Sequence, residues 1–294
     1  METRDDRGKV GPGVRRDLPP VAVFLLGLLV ASIAAWLVLG RPAWIASVAA
    51  VTAGLVLTLL WICRRVQRSL SFWYRTIQFQ TWQQIQALLS IFSLLDITHP
   101  LPPMRGAAVL PDLANVILSL ILERKPELVL EAGSGVSTLI IAYALRHVGR
   151  GRLISLEHEH AYFVQTMAHL ERHGLTDVAA VVHAPLKTVV INGKPWRWYD
   201  TESLAMAKPI DLFFIDGPPG NTQSLARYPA LPLLIAKLSA DAVLILDDVN
   251  RDAEQRILRM WTTQFPDFKL QLVETFKKGA ILRRTVGRVS PRVE

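Results

Sequence analysis

Two uninterrupted apolar runs stand near the start of the chain. Residues 21–40 read VAVFLLGLLVASIAAWLVLG and residues 43–63 read AWIASVAAVTAGLVLTLLWIC, with no charged side chain in either. Each has about the 20 residues a helix needs to cross a hydrocarbon core. Only Arg41 and Pro42 separate them, so the pattern predicts a transmembrane helical hairpin over residues 21–63. A cleaved signal peptide would have a shorter apolar run and no second one directly after it. From residue 64 the pattern turns amphipathic. Apolar and aromatic residues recur at helical spacing, and Phe72, Trp73, Tyr74, Phe79 and Trp82 suit a membrane interface. An interfacial or linker helix is expected over residues 64–100, closed by His99, Pro100, Pro102 and Pro103.

Beyond residue 101 short apolar runs alternate with helix-length segments, the pattern of an α/β domain with a mostly parallel sheet. Strands are expected near residues 127–131, 152–157, 179–183, 210–215, 242–247, 269–275 and 279–284. Helices are expected near 112–124, 137–147, 161–173, 224–238 and 251–264. Only Phe276, Lys277 and Lys278 join the last two strands, so the sheet should close on an antiparallel hairpin. The domain then covers residues 101–286, with a basic tail over 1–20 and a short tail over 287–294.

Charge refines the picture. The chain carries a net +8, which invites a nucleic-acid partner. Residues 1–80 hold ten Lys/Arg against four Asp/Glu, and the remaining 214 residues hold 23 against 21. The excess therefore lies beside the apolar runs, where it favours anionic headgroups and sets topology; no nucleic-acid partner is expected. Arg4, Arg7, Lys9, Arg15 and Arg16 precede the first run, and Arg64, Arg65, Arg68 and Arg75 follow the second. The positive-inside rule places both termini and the α/β domain in the cytoplasm. The single cysteine, Cys63, excludes an internal disulfide framework.

Candidate chemistry gathers at the expected strand ends. The first strand runs into Glu131-Ala-Gly-Ser-Gly-Val-Ser137. Gly133 and Gly135 allow a sharp turn and close approach of a ligand. A dinucleotide fingerprint would place a third glycine at position 138, where Thr138 stands. The turn therefore suits a nucleoside ligand without a pyrophosphate. Glu157, ending the second strand, follows at the interval expected of a ribose-binding acid. Asp216 ends the fourth strand ahead of Gly217-Pro218-Pro219-Gly220, and Asp247 and Asp248 end the fifth. Three carboxylates on one sheet edge are costly unless a cation binds or a proton is shared, and oxygen ligands suit Mg²⁺. The other reading of Asp248 is a helix cap. Trp196, Trp198, Tyr199 and Arg197 could stack on a ring or sugar of an acceptor, or form a lid on the sheet edge. Arg227 and Tyr228 are further candidates for the same pocket.

As a set, E-A-G-S-G-V-S-T, S-L-E-H, F-F-I-D-G-P-P-G and L-I-L-D-D resemble the class I S-adenosylmethionine (SAM) methyltransferases, nearest to the bacterial O-methyltransferase-like methyltransferase family 24. The resemblance covers residues 101–284. It implies a Rossmann-like fold, a seven-stranded, mostly parallel sheet with a C-terminal antiparallel hairpin, and SAM as cofactor. It places Glu131, Gly133, Ser134 and Gly135 around the methionine part of SAM, Glu157 on the ribose, His158 near the adenine edge, and His183 and Ala184 beside the adenine. In catechol-type members it implies Mg²⁺ ligands at the positions of Asp216, Asp247 and Asp248, with Asp248 where those proteins have Asn. The lysine-bearing sequence usual after the first of these is missing here.

The expectation is therefore a membrane-anchored SAM-dependent methyltransferase. Its acceptor would be a hydroxyl on a lipid-linked, glycan or hydrophobic small molecule, with Asp216 and then Asp248 as base or metal ligand. Membrane lipid and the acceptor are the expected partners; the sequence does not set the oligomeric state. Other classes compatible with the pattern are an aminopropyltransferase of the spermidine synthase type, a nicotinamide-dependent oxidoreductase and a catalytically silent membrane scaffold.

Overall fold

The computed structural model describes residues 41–201 and 208–285, with isolated positions between residues 27 and 37. The chain divides into two compact units, residues 1–78 and 79–294. The first expected span, residues 21–40, lies outside the described residues except for scattered helical positions, as do the tails over 1–20 and 287–294.

Helix α1 runs from Arg41 to Leu94 without a break, so the second apolar run and the amphipathic stretch are one element instead of two. In the first unit α1 is apolar through residue 63, and it qualifies by length and composition to cross a membrane. Large apolar side chains there are exposed, Leu57, Leu59 and Trp61 among them. Beyond them Arg64, Arg65, Arg68 and Arg75 share the helix with exposed Phe72, Trp73 and Tyr74. In the second unit the last turns of α1 change character: Ala87 and Ile91 are buried, as is Leu95 just past the helix end.

Four parallel pairings build most of the domain's sheet. Its strands are β1 (Leu128–Ala132), β2 (Arg152–Glu157), β3 (Ala179–His183), β6 (Ile210–Ile215), β7 (Leu238–Leu246), β8 (Phe268–Val273) and β9 (Gly279–Arg284). The order is β3-β2-β1-β6-β7-β9-β8. The first five run parallel, whereas β9 pairs antiparallel with both β7 and β8. The closing hairpin expected from the short 276–278 link is present, with β9 inserted between the two older strands. Helices α2 (Pro111–Arg124), α3 (Val136–Val148) and α4 (His160–Arg172) cover one face. On the other face lie α5 (Ala230–Leu234) and α6 (Asp252–Gln264). Both faces being covered, the central strands read as continuous apolar runs; all five residues of β1 are buried.

Two elements depart from the sequence expectation. Residues 224–238 form a helix only over Ala230–Leu234, followed by a 3-10 turn at Ile235–Lys237. Pro229 supplies no N–H and disfavours helical backbone in the residue before it, so the helix cannot extend upstream. Residues 186–199 form an unanticipated antiparallel ribbon, β4 (Leu186–Ile191) and β5 (Lys194–Tyr199), turning at Asn192-Gly193. Both turn residues have positive φ, 52° and 75°, as a two-residue hairpin turn requires.

Candidate functional site

The sheet reverses its build direction between β1 and β6, and in open α/β sheets the crevice beyond the carboxyl ends of such strands is where ligands sit. A cavity of about 840 Å³ lies there. The turn after β1 forms one wall (Gly133, Ser134, Gly135), Glu157 and His158 after β2 another, and Asp216 and Gly217 after β6 a third. A polar stripe on α4, Tyr162, Gln165, Thr166 and His169, faces the same space. Pro102, Pro103 and residues 107–109 line it from the segment between α1 and α2.

Two glycines make this geometry possible. Gly133 has φ +95°, and a Cβ there would come within 3.2 Å of the Gly217 nitrogen. At Gly217 a Cβ would come within 2.1 Å of the Tyr199 hydroxyl. The β1 and β6 turns and the end of β5 thus touch backbone to backbone and backbone to hydroxyl. The Gly135 site opens onto free space, with nothing within 4 Å.

Glu157 is almost fully buried yet charged. Its Oε2 accepts from the Ser134 N–H (3.1 Å) and hydroxyl (3.0 Å), and its Oε1 from the Glu159 N–H (2.9 Å). Burial alone would raise its pKa, but hydrogen bonds from His158, Glu159 and Ser134 outweigh burial and hold it below the ordinary carboxylate range. The Ser134 hydroxyl also lies 3.1 Å from Thr166 Oγ1, so it has a second partner if a ligand hydroxyl displaces it. The carboxylate can therefore take up two ribose hydroxyls.

Behind the third wall lies an ionic cluster. One carboxylate oxygen each of Asp216, Asp247 and Asp248 falls within 4.8 Å of the others. Arg227, almost fully buried, reaches into them. Its Nη2 donates to Asp248 Oδ2 (2.8 Å), the Asp216 carbonyl (2.8 Å) and Asp216 Oδ1 (3.1 Å), and its Nη1 to the Asp247 carbonyl (2.9 Å). Arg251 lies 3.0 Å from Asp248 Oδ2, and Lys277 Nζ lies 3.7 Å from Asp248 Oδ1 and 3.9 Å from Asp247 Oδ2. Burial, together with the neighbouring aspartates, still pushes Asp216 up to about 8, against the pull of Arg227. Burial and Asp248 push Asp247 up to about 6. Arg227 stays charged, because Asp216, Asp248 and Glu254 outweigh its own burial.

Residues 130–249 match the family model described as Methyltransferase domain. This stretch is a methyltransferase domain. No curated protein matches the chain. Among solved structures it is similar to cofactor-bound Rv0187 from MTB (21% identity, 69% of this chain and 91% of that chain, TM-score 0.49). It is similar also to SAH-bound methyltransferase PaMTH1 of Podospora anserina (14%, 69% and 88%, 0.48). A third is the O-methyltransferase TomG from Streptomyces achromogenes, in complex with SAM (17%, 61% and 82%, 0.47).

Within the methyltransferase domain, the residues expected at the site divide into two groups. Gly133, Ser134, Gly135, Glu157, His158, Tyr199 and Asp216 all border the cavity. Glu131 does not: it is fully buried beneath the turn, where the Thr138 hydroxyl donates to its Oε2 (2.6 Å) and in turn accepts from the Gly135 N–H (3.0 Å). It holds the glycine turn from below. His183 packs edge-on against His160 and lies close to Phe163, and Ala184 is buried; neither lines the cavity. Trp198 is fully buried in the core, Trp196 lies against the Tyr228 ring at 4.6 Å, and Arg227 belongs to the ionic cluster. Of the four expected acceptor contacts only Tyr199 reaches the cavity, because alternate residues of a strand face opposite ways. The α4 stripe was missed; its signal was polar residues at 162, 165, 166 and 169, the spacing of one helix face. Lys277, noted only as a linker, was missed as a cluster member.

Proposed function

We propose that the methyltransferase domain uses SAM to methylate a hydroxyl of a hydrophobic or lipid-linked small molecule at the cytoplasmic surface of a membrane. One observation carries this reading: a single cavity at the sheet's switch point holds a tight glycine turn, a charged and pre-hydrogen-bonded Glu157, and Asp216. SAM, when bound, supplies a methyl group already activated on a sulfonium. Glu157 would accept the ribose hydroxyls, and the Gly133–Gly135 backbone would cradle the methionine part. Asp216, on the opposite wall, has the raised pKa of a general base matched to near-neutral pH, so it would take the acceptor's proton. Tyr199 is a buried hydroxyl with no partner among the described residues; it would hydrogen-bond the acceptor oxygen. Pro102, Pro103, Ala107, Ala108 and Val109 give the entrance an apolar lining.

The membrane part of the reading rests on the apolar stretch of α1 and on the arginine and aromatic side chains that follow it. With residues 21–40 as a second span, the charges flanking both spans orient the domain to the cytoplasm.

The test is calorimetric titration of the detergent-purified chain with SAM, S-adenosylhomocysteine (SAH), decarboxylated SAM and NAD. SAM and SAH should bind in preference to the other two. Glu157→Ala should weaken them roughly tenfold to a hundredfold, the worth of hydrogen bonds to a charged group. Preference for decarboxylated SAM or NAD, or unchanged SAM affinity in the variant, would overturn the proposal.

A further inference from the structure

The Mg²⁺ implied by the family resemblance can be tested against the residues present. Magnesium asks for near-octahedral oxygen ligation at about 2.0–2.1 Å and keeps several waters. Asp216, Asp247 and Asp248 do bring oxygens together, but the space between them is taken. Arg227 Nη2 sits at hydrogen-bond distance from Asp216 Oδ1 and Asp248 Oδ2, and Lys277 Nζ stands beside the outer oxygens of Asp247 and Asp248. A divalent ion bound among these oxygens would lie against two resident cations. Asp247 and Asp248 are, moreover, almost fully buried and outside the cavity, so an ion on them could not reach an acceptor. The donor set does not fit a divalent metal.

We infer that the guanidinium of Arg227, backed by Lys277, takes in this chain the place of a divalent cation at the carboxyl ends of β6 and β7. The charges come within one of balance. Four carboxylates, with Glu254 3.9 Å from Arg227 Nε, face three cations, Arg227, Arg251 and Lys277. A guanidinium does two things a metal ion would do. It neutralises grouped carboxylates, and it ties two strand ends together by donating to the backbone carbonyls of Asp216 and Asp247. It does one thing differently. All its donors point into the protein, so it offers no open coordination position, and an acceptor in the cavity meets Asp216 and Tyr199 instead of a chelating ion. Recognition then needs one acceptor oxygen and not an adjacent pair. This last consequence rests on the methyl-transfer reading; the cation exchange itself does not.

The experiment is a manganese(II) titration of the detergent-purified full chain, followed by electron paramagnetic resonance, with SAM calorimetry in the presence and absence of EDTA. Wild-type protein should leave the free-ion spectrum unchanged, and EDTA should leave SAM affinity unchanged. Stoichiometric Mn²⁺ binding that Asp248→Asn abolishes would overturn the inference, whatever the SAM result. Arg227→Ala, if it keeps the wild-type circular dichroism spectrum, should gain one Mn²⁺ site that the added Asp248→Asn change removes. A folded Arg227→Ala that binds no Mn²⁺ would likewise overturn it. Should this variant not fold, the wild-type titration decides alone. Failure to bind SAM with no Mn²⁺ uptake would sink the proposed function and leave the inference standing.

Discussion

At the residue scale the domain depends on a few groups whose environment sets their protonation. Glu131 has no exposed surface, and one of its oxygens has no partner among the described residues. Burial pushes its carboxyl from 4.5 to about 7, despite hydrogen bonds from Ser137, Ser155 and Thr138. Between those two values the unfolded chain loses the proton and the folded chain keeps it. Stability should therefore fall as pH rises from about 4.5 to about 7 and then level off. Glu131→Gln removes the ionisation, so the variant should gain on the wild type across that window. Urea midpoints measured below and above it would show this; a constant difference at all pH values would mean the carboxyl is not held neutral. Sequence patterns showed Gly133 and Glu157 well, because a positive φ and a strand-end carboxylate are local requirements. They did not show that Glu131 lies beneath the turn, since only the packing of α3 on β1 and β2 decides that. Nor could they pair Arg227 with Asp216, 11 residues apart and joined by an irregular loop.

At the element scale, legibility followed the strength of local signals. Strands β2, β3, β6 and β9 fall where the apolar runs put them. The β4–β5 ribbon did announce itself, in Asn192-Gly193, but its mixed composition hid the strands on either side. Proline, in contrast, overrode apolar periodicity at residues 224–229. The ribbon's value lies in Trp198, fully buried among residues of the second core cluster. Trp198→Ala should cost about 3–5 kcal/mol, as large aromatic truncations in cores do. Trp198→Phe should cost much less, since it keeps most of the volume and removes an unpartnered indole N–H. Chemical denaturation of the two variants would separate packing from hydrogen bonding; equal losses would argue against the packing role.

On the scale of the whole molecule, the sequence pattern divides the chain at residues 63–64 and 100–101. The boundary between compact units falls inside α1, at residues 78 and 79. No change in composition marks it, because one helix serves both. The sheet order carries a consequence for how the chain is made. Strand β8 has a single neighbour, β9, and β9 is the last strand synthesised. A growing chain therefore exposes the β7 edge and an unpaired β8 until residue 284 has left the ribosome. The sheet acquires its final strand pairing only after translation of its other described strands, a late and long-range closure. Chains stopped after Lys278 should be degraded or aggregate, whereas chains stopped after Thr285 should resist trypsin as the full chain does. Equal resistance would mean that the other five strands close a stable sheet by themselves.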